Sequence, residues 1–328
     1  MQIGGQAVIE GVMMRAPGMV ATAVRRSNGA IVVNRHSFRS LNERFGLQKL
    51  PIVRGAVGLI DMMYLGIKTL NWSAEVAMLD AQAEEAKKNG KPNAGNKPKS
   101  QSRLALIMTL VFALTLGIGI FFVTPLFVTS RLFELEQTAL EFNLVAGAIR
   151  ILILIGYLAA ISFMRDIKRL FQYHGAEHKA VFTFELNGEL IPSVAQRHTR
   201  FHPRCGTSFL LIVMFVAIIS FAVLDSFLIR WFGEMTLLLR LVTHLPFIPV
   251  VGGIAYEFIK FSAKHSTTWW GRIIVAPGLW LQKITTKEPD ESQLDVALVA
   301  LRCALGLEDA RHYSFGEVAA VQTALSSR

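Results

Sequence analysis

Four runs of apolar residues follow one another between positions 104 and 259. The first, 104–128, contains no charged side chain. A helix of this length covers a hydrocarbon core of about 30 Å. The other three runs each contain at least one charged residue, and they are predicted at 144–164, 208–228 and 235–259. The pattern predicts a polytopic protein with about four transmembrane helices in 104–259, the last kinked by its two prolines.

The N-terminal hundred residues divide into three predicted pieces. Residues 1–50 contain a small β unit, because Ser27-Asn28-Gly29 separates two β-prone runs and an Asn-Gly step favours a hairpin turn. Helical periodicity over 51–86 predicts an amphipathic helix packed against either the transmembrane region or the membrane surface. The basic stretch 87–103, with its glycine, asparagine and prolines, predicts a disordered linker.

After the fourth span, residues 260–328 predict a cytoplasmic region. The stretch 269–284 holds three tryptophans around an apolar run too short to cross the bilayer, which predicts an interfacial or re-entrant element. Asp290 and Gln293 have the spacing of a capping box and open a docked amphipathic helix. The predicted fold class is therefore mainly α, a polytopic membrane protein with a small N-terminal β unit and cytoplasmic amphipathic helices.

The distribution of positive charge predicts the orientation. Of the 34 lysines and arginines, 30 lie before the first span, in the connection 165–207 or after the fourth span. Because positively charged loops stay in the cytoplasm, both termini and this connection are predicted inside, in a multi-pass protein of the inner (cytoplasmic) membrane. The net charge of +10 is explained by basic residues beside anionic lipid. The lipid bilayer is therefore the expected partner, and nucleic acid is not.

The connection 165–207 contains two clusters of metal-ligand residue types. His174 and His178 would share one face of a helix continuing from the second span, with Glu177 placed as a general base for a bound water. Their spacing, H-x-x-E-H, is that of inverzincin metalloproteases. His202 and Cys205 follow just before the third span, so antiparallel spans would bring the clusters together. The residues predict a divalent transition metal, with zinc favoured by the nitrogen and sulfur ligands.

Other interpretations of these clusters stay open. Histidines in a basic loop at the headgroup level are often only solvated, and a free cysteine is commonly a small buried apolar residue. If all four predicted ligands bind one ion, the site is closed and structural. If only three bind it, a water fills the fourth position and catalysis becomes available.

Several short motifs are spread over nearly the whole chain. They are GGQAVIEGVMMR at 4–15, Arg54-Gly55, YHGAEHK at 173–179, HPRCGTSF at 202–209, and TTKEP followed by Gln293. Together they resemble the DUF1385 family of bacterial membrane proteins. The resemblance implies a membrane protein with a metal-dependent activity, and it identifies no substrate.

The first of these motifs has two interpretations. Gln6, Glu10 and Arg15 are candidates for a supporting polar shell around the histidines, because metal-bound imidazoles commonly donate their other N–H to a carboxylate or carbonyl. Arg204, beside Cys205, is a candidate for the same role. Alternatively, the glycine-rich segment only provides backbone freedom for a turn.

Three charged residues fall inside predicted spans. Arg150 and Arg240 lie close to the predicted outer ends of the second and fourth spans, and Asp225 lies near the outer end of the third. An unpaired charge in the bilayer is costly, so Asp225 is expected to pair with one of the arginines. The alternative is that these side chains extend to the outer headgroups.

Two functional hypotheses follow. In the first, the protein is a metal-dependent enzyme of the cytoplasmic membrane, hydrolytic in type, with His174, His178 and His202 as ligands and Glu177 as the base. In the second, it is a non-enzymatic scaffold or assembly factor for another membrane protein complex, with a structural metal site or none. An open coordination position favours the enzyme, and a closed site favours the scaffold. The sequence leaves open whether the protein is an enzyme.

Overall fold

The computed structural model describes residues 3–88, 103–133, 135, 137–264 and 268–313. These residues are mainly helical, with four helices long and apolar enough to span a membrane and one small N-terminal sheet, so the predicted fold class is confirmed. The predicted linker 87–103 lies outside the described residues except at its ends. The last part of the C-terminal region lies outside them as well.

The N-terminal sheet is antiparallel, with its four strands in chain order. The strands are β1 Gly4–Val8, β2 Gly11–Ala16, β3 Met19–Arg25 and β4 Ile31–Ser37. The predicted hairpin connects β3 to β4, where Gly29 has a φ of +87° and the Asn28 side chain accepts a hydrogen bond from the Ala30 amide at 3.0 Å. Glycine suits this turn because other residues rarely adopt a positive φ.

Eleven α-helices follow the sheet within the described part of the chain. They are α1 Leu41–Arg44, α2 Val53–Lys88, α3 Arg103–Ile118, α4 Thr124–Leu132, α5 Ala139–Ile161, α6 Arg165–Glu185, α7 Pro192–Ala195, α8 Gly206–Phe232, α9 Leu237–Lys264, α10 Trp269–Thr285 and α11 Glu291–Leu305. A π-helical turn, Gly119–Val123, joins α3 to α4 without a break. Short 3-10 turns precede α2 and follow α11.

The four candidate spans cover Ile107–Leu132, Ala139–Ile161, Phe209–Phe232 and Leu237–Ser262. The second span differs from its prediction at both ends. It starts at residue 139 rather than 144, and it does not continue into the histidine segment, because Met164 is extended (φ −70°, ψ 135°) and starts the separate helix α6. The change coincides with the first charged residues after the apolar run, Arg165 and Asp166.

Outside the spans, the core forms around α11. The predicted capping box is present, since Asp290 accepts from the Gln293 amide at 2.9 Å and the Gln293 side chain accepts from the Asp290 amide at 3.0 Å. An amphipathic surface helix buries one face, whereas α11 buries residues on most of its circumference, and Val296, Leu298 and Leu301 are fully enclosed. It packs on β2, β3 and α6, and it thereby joins the sheet to the histidine helix. The stretch predicted as interfacial is α10, which packs along α8.

Candidate metal centre

Three of the predicted ligands meet where α6 approaches the start of α8. His174 and His178 lie one turn apart on α6, and Cys205 is the N-cap residue of α8. One ligand atom from each of the three lies within 4.8 Å of the others, and the His174 Nε2 and Cys205 Sγ atoms are 3.2 Å apart. Two imidazole nitrogens and one sulfur therefore converge on a volume the size of one metal ion.

Backbone carbonyls orient both imidazole rings. The His174 Nδ1 lies 2.8 Å from the carbonyl of Thr285, and the His178 Nδ1 lies 2.5 Å from the carbonyl of Arg200. Because a carbonyl only accepts, each Nδ1 carries the hydrogen and each Nε2 presents a lone pair to the cluster. The His178 Nε2 is buried and has no hydrogen-bond partner among the described residues. Metal-bound histidines typically donate their second ring N–H to a carbonyl or carboxylate in this way, so the site fits a metal.

The position of Cys205 suits a thiolate ligand. Its sulfur accepts from the Thr207 amide at 3.4 Å and lies 3.1 Å from the Thr207 hydroxyl oxygen. The amino end of α8 carries a partial positive charge, which stabilises a negatively charged sulfur. Two imidazoles and a thiolate form a donor set typical of zinc and similar transition metals.

His202 does not join the three converging atoms. Its Nε2 lies 3.4 Å from a Glu185 carboxylate oxygen, and its Nδ1 accepts from the Arg204 amide at 3.2 Å. Burial, with a smaller contribution from His178, lowers the pKa of His202 to about 4, so the ring is neutral near pH 7. The sequence predicts His202 as one of the ligands. The structure instead packs it beside His178, with 5.7 Å between ring centroids.

Glu177 is buried next to the cluster. The Gly5 amide donates to its carboxylate, and burial raises the pKa of this carboxyl although His174 and the Gly5 hydrogen bond act in the opposite direction. A buried carboxyl with a raised pKa holds a proton more readily than an exposed one, which suits a group that transfers protons. Glu177 lies outside the group of three mutually close ligand atoms, so its position suits a base better than a ligand.

The N-terminal motif reaches this site through Gly5, to which the sequence analysis gave no role of its own. A Cβ on Gly5 would lie 2.7 Å from the Met13 carbonyl oxygen and 2.8 Å from Glu177 Cγ. The position therefore requires glycine because strand β1 passes directly over the carboxyl. The Gly4-Gly5 pair was the available signal, but only the packing of β1 on α6 shows which glycine matters.

The supporting residues predicted in that motif hold other contacts. Glu10 binds Arg169, with 2.5 Å between Oε2 and Nη2, and its carboxylate also accepts from the Tyr173 hydroxyl at 3.4 Å. Gln6 lies against Gly66, where a Cβ would come within 2.8 Å of the Gln6 Oε1.

The side chains of the two predicted supporting arginines do not reach His174 or His178. Arg15 lies over the Phe38 ring at 4.8 Å and donates to Met62 Sδ of α2 at 3.6 Å, and Arg204 binds Glu185. Gln6 and Arg15 therefore connect the sheet to α2, and Glu10 connects the β1–β2 turn to α6. Arg204 instead positions His202, through its amide and through Glu185.

A Gly5→Ala variant should be less stable than the wild-type protein by about 1–3 kcal/mol, because the added methyl group overpacks the contact between β1 and α6. Thermal unfolding in detergent measures the effect. Gly4→Ala is the matched control, since nothing lies within 4 Å of a Cβ at that position. Equal stability of the two variants would contradict the close approach at Gly5.

Two of the charged residues inside the spans, Asp225 and Arg240, form a separate polar cluster. Asp225 binds Arg240 Nε at 3.1 Å, His244 Nε2 at 2.7 Å and Asn143 Nδ2 at 2.7 Å. Of the two arginines considered in the sequence analysis, the structure thus places Arg240 at Asp225. His244 and Asn143 were not foreseen there, although the i, i+4 spacing of Arg240 and His244 puts both on one face of α9.

Arg150 lies far from where the sequence placed it. It is the central residue of α5, about 16 Å from either end at 1.5 Å per residue, because the span begins earlier than predicted. Its Nε donates to the carbonyl of Phe121 in the π-helical turn at 3.0 Å, and its guanidinium lies 5.3 Å from the Phe122 ring. The side chain is buried against this carbonyl and these aromatic faces, which favours a fixed position inside the protein over extension to the headgroups.

Comparison with known proteins gives a consistent result. The family profile described as "Protein of unknown function (DUF1385)" matches residues 50–307. The Bacillus subtilis (strain 168) protein named "Uncharacterized protein YqhQ" is 32% identical over 315 residues, which is 93% of this chain and 92% of that protein. No solved structure matches the chain. Neither description names a reaction, so the chemistry is argued from the site itself.

Proposed function

The chain belongs to the DUF1385 family, and we propose that it is a membrane-anchored, metal-dependent enzyme with His174, His178 and Cys205 as ligands. One observation carries the proposal. The His178 Nε2 is buried and has no hydrogen-bond partner in the described part of the chain, and one ligand atom of His178 lies within 4.8 Å of ligand atoms of His174 and Cys205. An unsatisfied buried nitrogen costs about 1–3 kcal/mol, and a metal ion offsets that cost.

The residues around the cluster favour hydrolysis. When bound, a zinc ion with three protein ligands keeps one position for water and supplies a Lewis acid. Glu177 would be the general base, which takes a proton from the attacking water at its carboxylate and gives it to the leaving group as the scissile bond breaks. The Gly5 amide and the surrounding burial hold that carboxyl in one place. His202 stays neutral and packs beside His178, without binding the ion.

The proposed site faces the cytoplasm. Support comes from the concentration of lysine and arginine on the segments at that end of the spans, together with the start of the third span only four residues after Cys205.

Labelling of introduced cysteines tests this orientation. Glu189 and Glu234 are both exposed, Glu189 in the connection before the third span and Glu234 in the connection between the third and fourth spans. In intact cells, a cysteine introduced at 234 should react with an impermeant reagent and one at 189 should not. The reverse pattern would contradict the orientation.

A structural metal site in a scaffold or assembly factor is the second candidate. It is favoured by the position of the cluster, which joins the histidine helix α6 to α8 and, through the Thr285 carbonyl, to the end of α10. A closed site there would lock the N-terminal sheet and α11 onto the membrane helices. The two candidates differ in whether the ion has a position open to an added ligand.

Cobalt-substituted protein distinguishes these candidates. A thiolate from Cys205 should give a sulfur-to-cobalt charge-transfer band, which Cys205→Ser should abolish. Acetohydroxamate should shift the visible cobalt bands if one position is open, and it should leave them unchanged in a closed site. Glu177→Gln should keep the cobalt spectrum, because glutamine preserves shape but accepts no proton. A spectrum that does not respond to acetohydroxamate would overturn the enzyme proposal.

A further inference from the structure

Helix α2 has an unusual distribution of polar residues. Four of its eight buried residues are polar: Asp61, Thr69, Ser73 and Asp80. Their spacings of eight, four and seven residues place them on one side of the helix, as a stripe that faces the sheet and the segment before α2. A helix on the surface of a soluble domain would normally turn apolar residues toward the protein.

Specific hydrogen bonds account for the buried polar stripe. Asp80 binds Arg26 Nε and the Ser27 amide, each at 2.8 Å, and Asp61 accepts from the Leu41 amide at 2.9 Å. The Ser73 hydroxyl accepts from the Ile9 amide at 3.2 Å. These contacts fix the rotation of α2 about its own axis relative to the sheet.

The opposite face of α2 is apolar and exposed. At 100° per residue it is centred about 180° from the polar stripe, and it extends for about 30 Å along the helix. Met63 and Tyr64 are 62% and 63% exposed. The exposed apolar side chains on this face are Ile60, Met63, Tyr64, Ile67, Leu70 and Met78. A continuous apolar strip of this size indicates an interaction surface.

The start of α2 packs on the fourth candidate span. Gly55 packs directly on α9, where an added Cβ would lie 2.7 Å from Tyr256 Cβ and 3.0 Å from Gly253 Cα. Arg54 binds Glu257, with 2.6 Å between Nε and Oε1. The start of helix α2 therefore lies beside the last ten residues of the fourth candidate span. Phe261, in the same part of that span, is exposed.

We propose that α2 lies along the bilayer surface, with the sheet bound to its polar stripe and lipid in contact with its apolar face. The chain just before α2 supplies exposed Phe45 and Leu50 beside Arg44 and Lys49, a combination that suits acyl chains and anionic headgroups. The helix is thus a membrane-associated element that does not span, and it sets the height of the sheet above the membrane. This assignment is independent of the metal centre.

Photo-crosslinking of the full-length protein in nanodiscs of phosphatidylcholine and phosphatidylglycerol tests the proposal. Benzoylphenylalanine replaces Met63 or Ile67 on the apolar face. In a matched variant it replaces Glu75, which is exposed on the same helix in a polar groove with Asn34 and His36. Intact mass spectrometry should show addition of one phospholipid at 63 and 67, at least about fivefold more than at 75.

Two results would overturn the lipid assignment. Crosslinked dimers at 63 and 67 without phospholipid addition would show that a second copy covers this face. Equal phospholipid addition at all three positions would show that α2 has no lipid-facing side. Because the three replaced side chains are exposed, the variants should fold as the wild-type protein does, which unchanged thermal unfolding would verify.

Discussion

A His178→Ala variant should purify without the metal that we expect the wild-type protein to hold. In the proposed site His178 supplies one ligand atom, and its Nε2 has no alternative partner among the described residues. Loss of outer-sphere partners alone commonly lowers metal affinity by about 10- to 100-fold, so removal of a direct ligand should lower it by more than about 100-fold. Elemental analysis of protein purified in parallel, without added metal and without chelator, measures the effect.

His198→Ala is the matched control for that measurement. His198 lies in the same connection and contacts the Phe182 ring, but it lies outside the converging group. Its replacement should leave the metal content unchanged. Equal metal content in the wild-type, His178→Ala and His198→Ala proteins would mean that the ion binds elsewhere in the chain.

An Asp225→Asn variant should be less stable by about 3–5 kcal/mol, because Arg240 would lose its counter-charge inside the bilayer. Both side chains of this pair are fully buried, so water does not replace the lost interaction. Asparagine keeps the size of the side chain, which separates the electrostatic effect from a packing defect. Unfolding in detergent, followed by circular dichroism, measures the difference.

The double variant Asp225→Asn/Arg240→Gln should recover part of that loss, because it removes both charges together. Glu141→Gln, at the exposed start of α5, should have little effect and serves as the carboxylate control. Wild-type stability in the Asp225→Asn single variant would show that the buried pair contributes nothing.

Features set by local sequence were predicted well. The Asn28-Gly29 turn and the Asp290–Gln293 capping box depend on residues a few positions apart, and both are present. The four spans follow from length and apolarity alone, because backbone groups in lipid must be satisfied within the helix. The His174–His178 pairing on one face likewise follows from the helical period.

Features set by tertiary contacts were not accessible from the sequence. The sequence could not rank His202 against Cys205, because the α6–α8 connection decides which side chain meets the two histidines. The break at Met164 and the early start of α5 placed Arg150 mid-span rather than near the outer end. The role of Gly5 depends on β1 crossing α6, and the polar stripe of α2 is explained only by the sheet on it.

X-ray absorption spectroscopy of the metal in purified wild-type protein tests the central claim most directly. We expect about one equivalent of metal, with one sulfur neighbour at about 2.3 Å and two imidazole nitrogens at about 2.0–2.1 Å if the ion is zinc. The remaining position should hold one light atom from water. A shell of nitrogen and oxygen without sulfur, or protein that holds no metal when purified without chelator, would contradict the assignment of His174, His178 and Cys205.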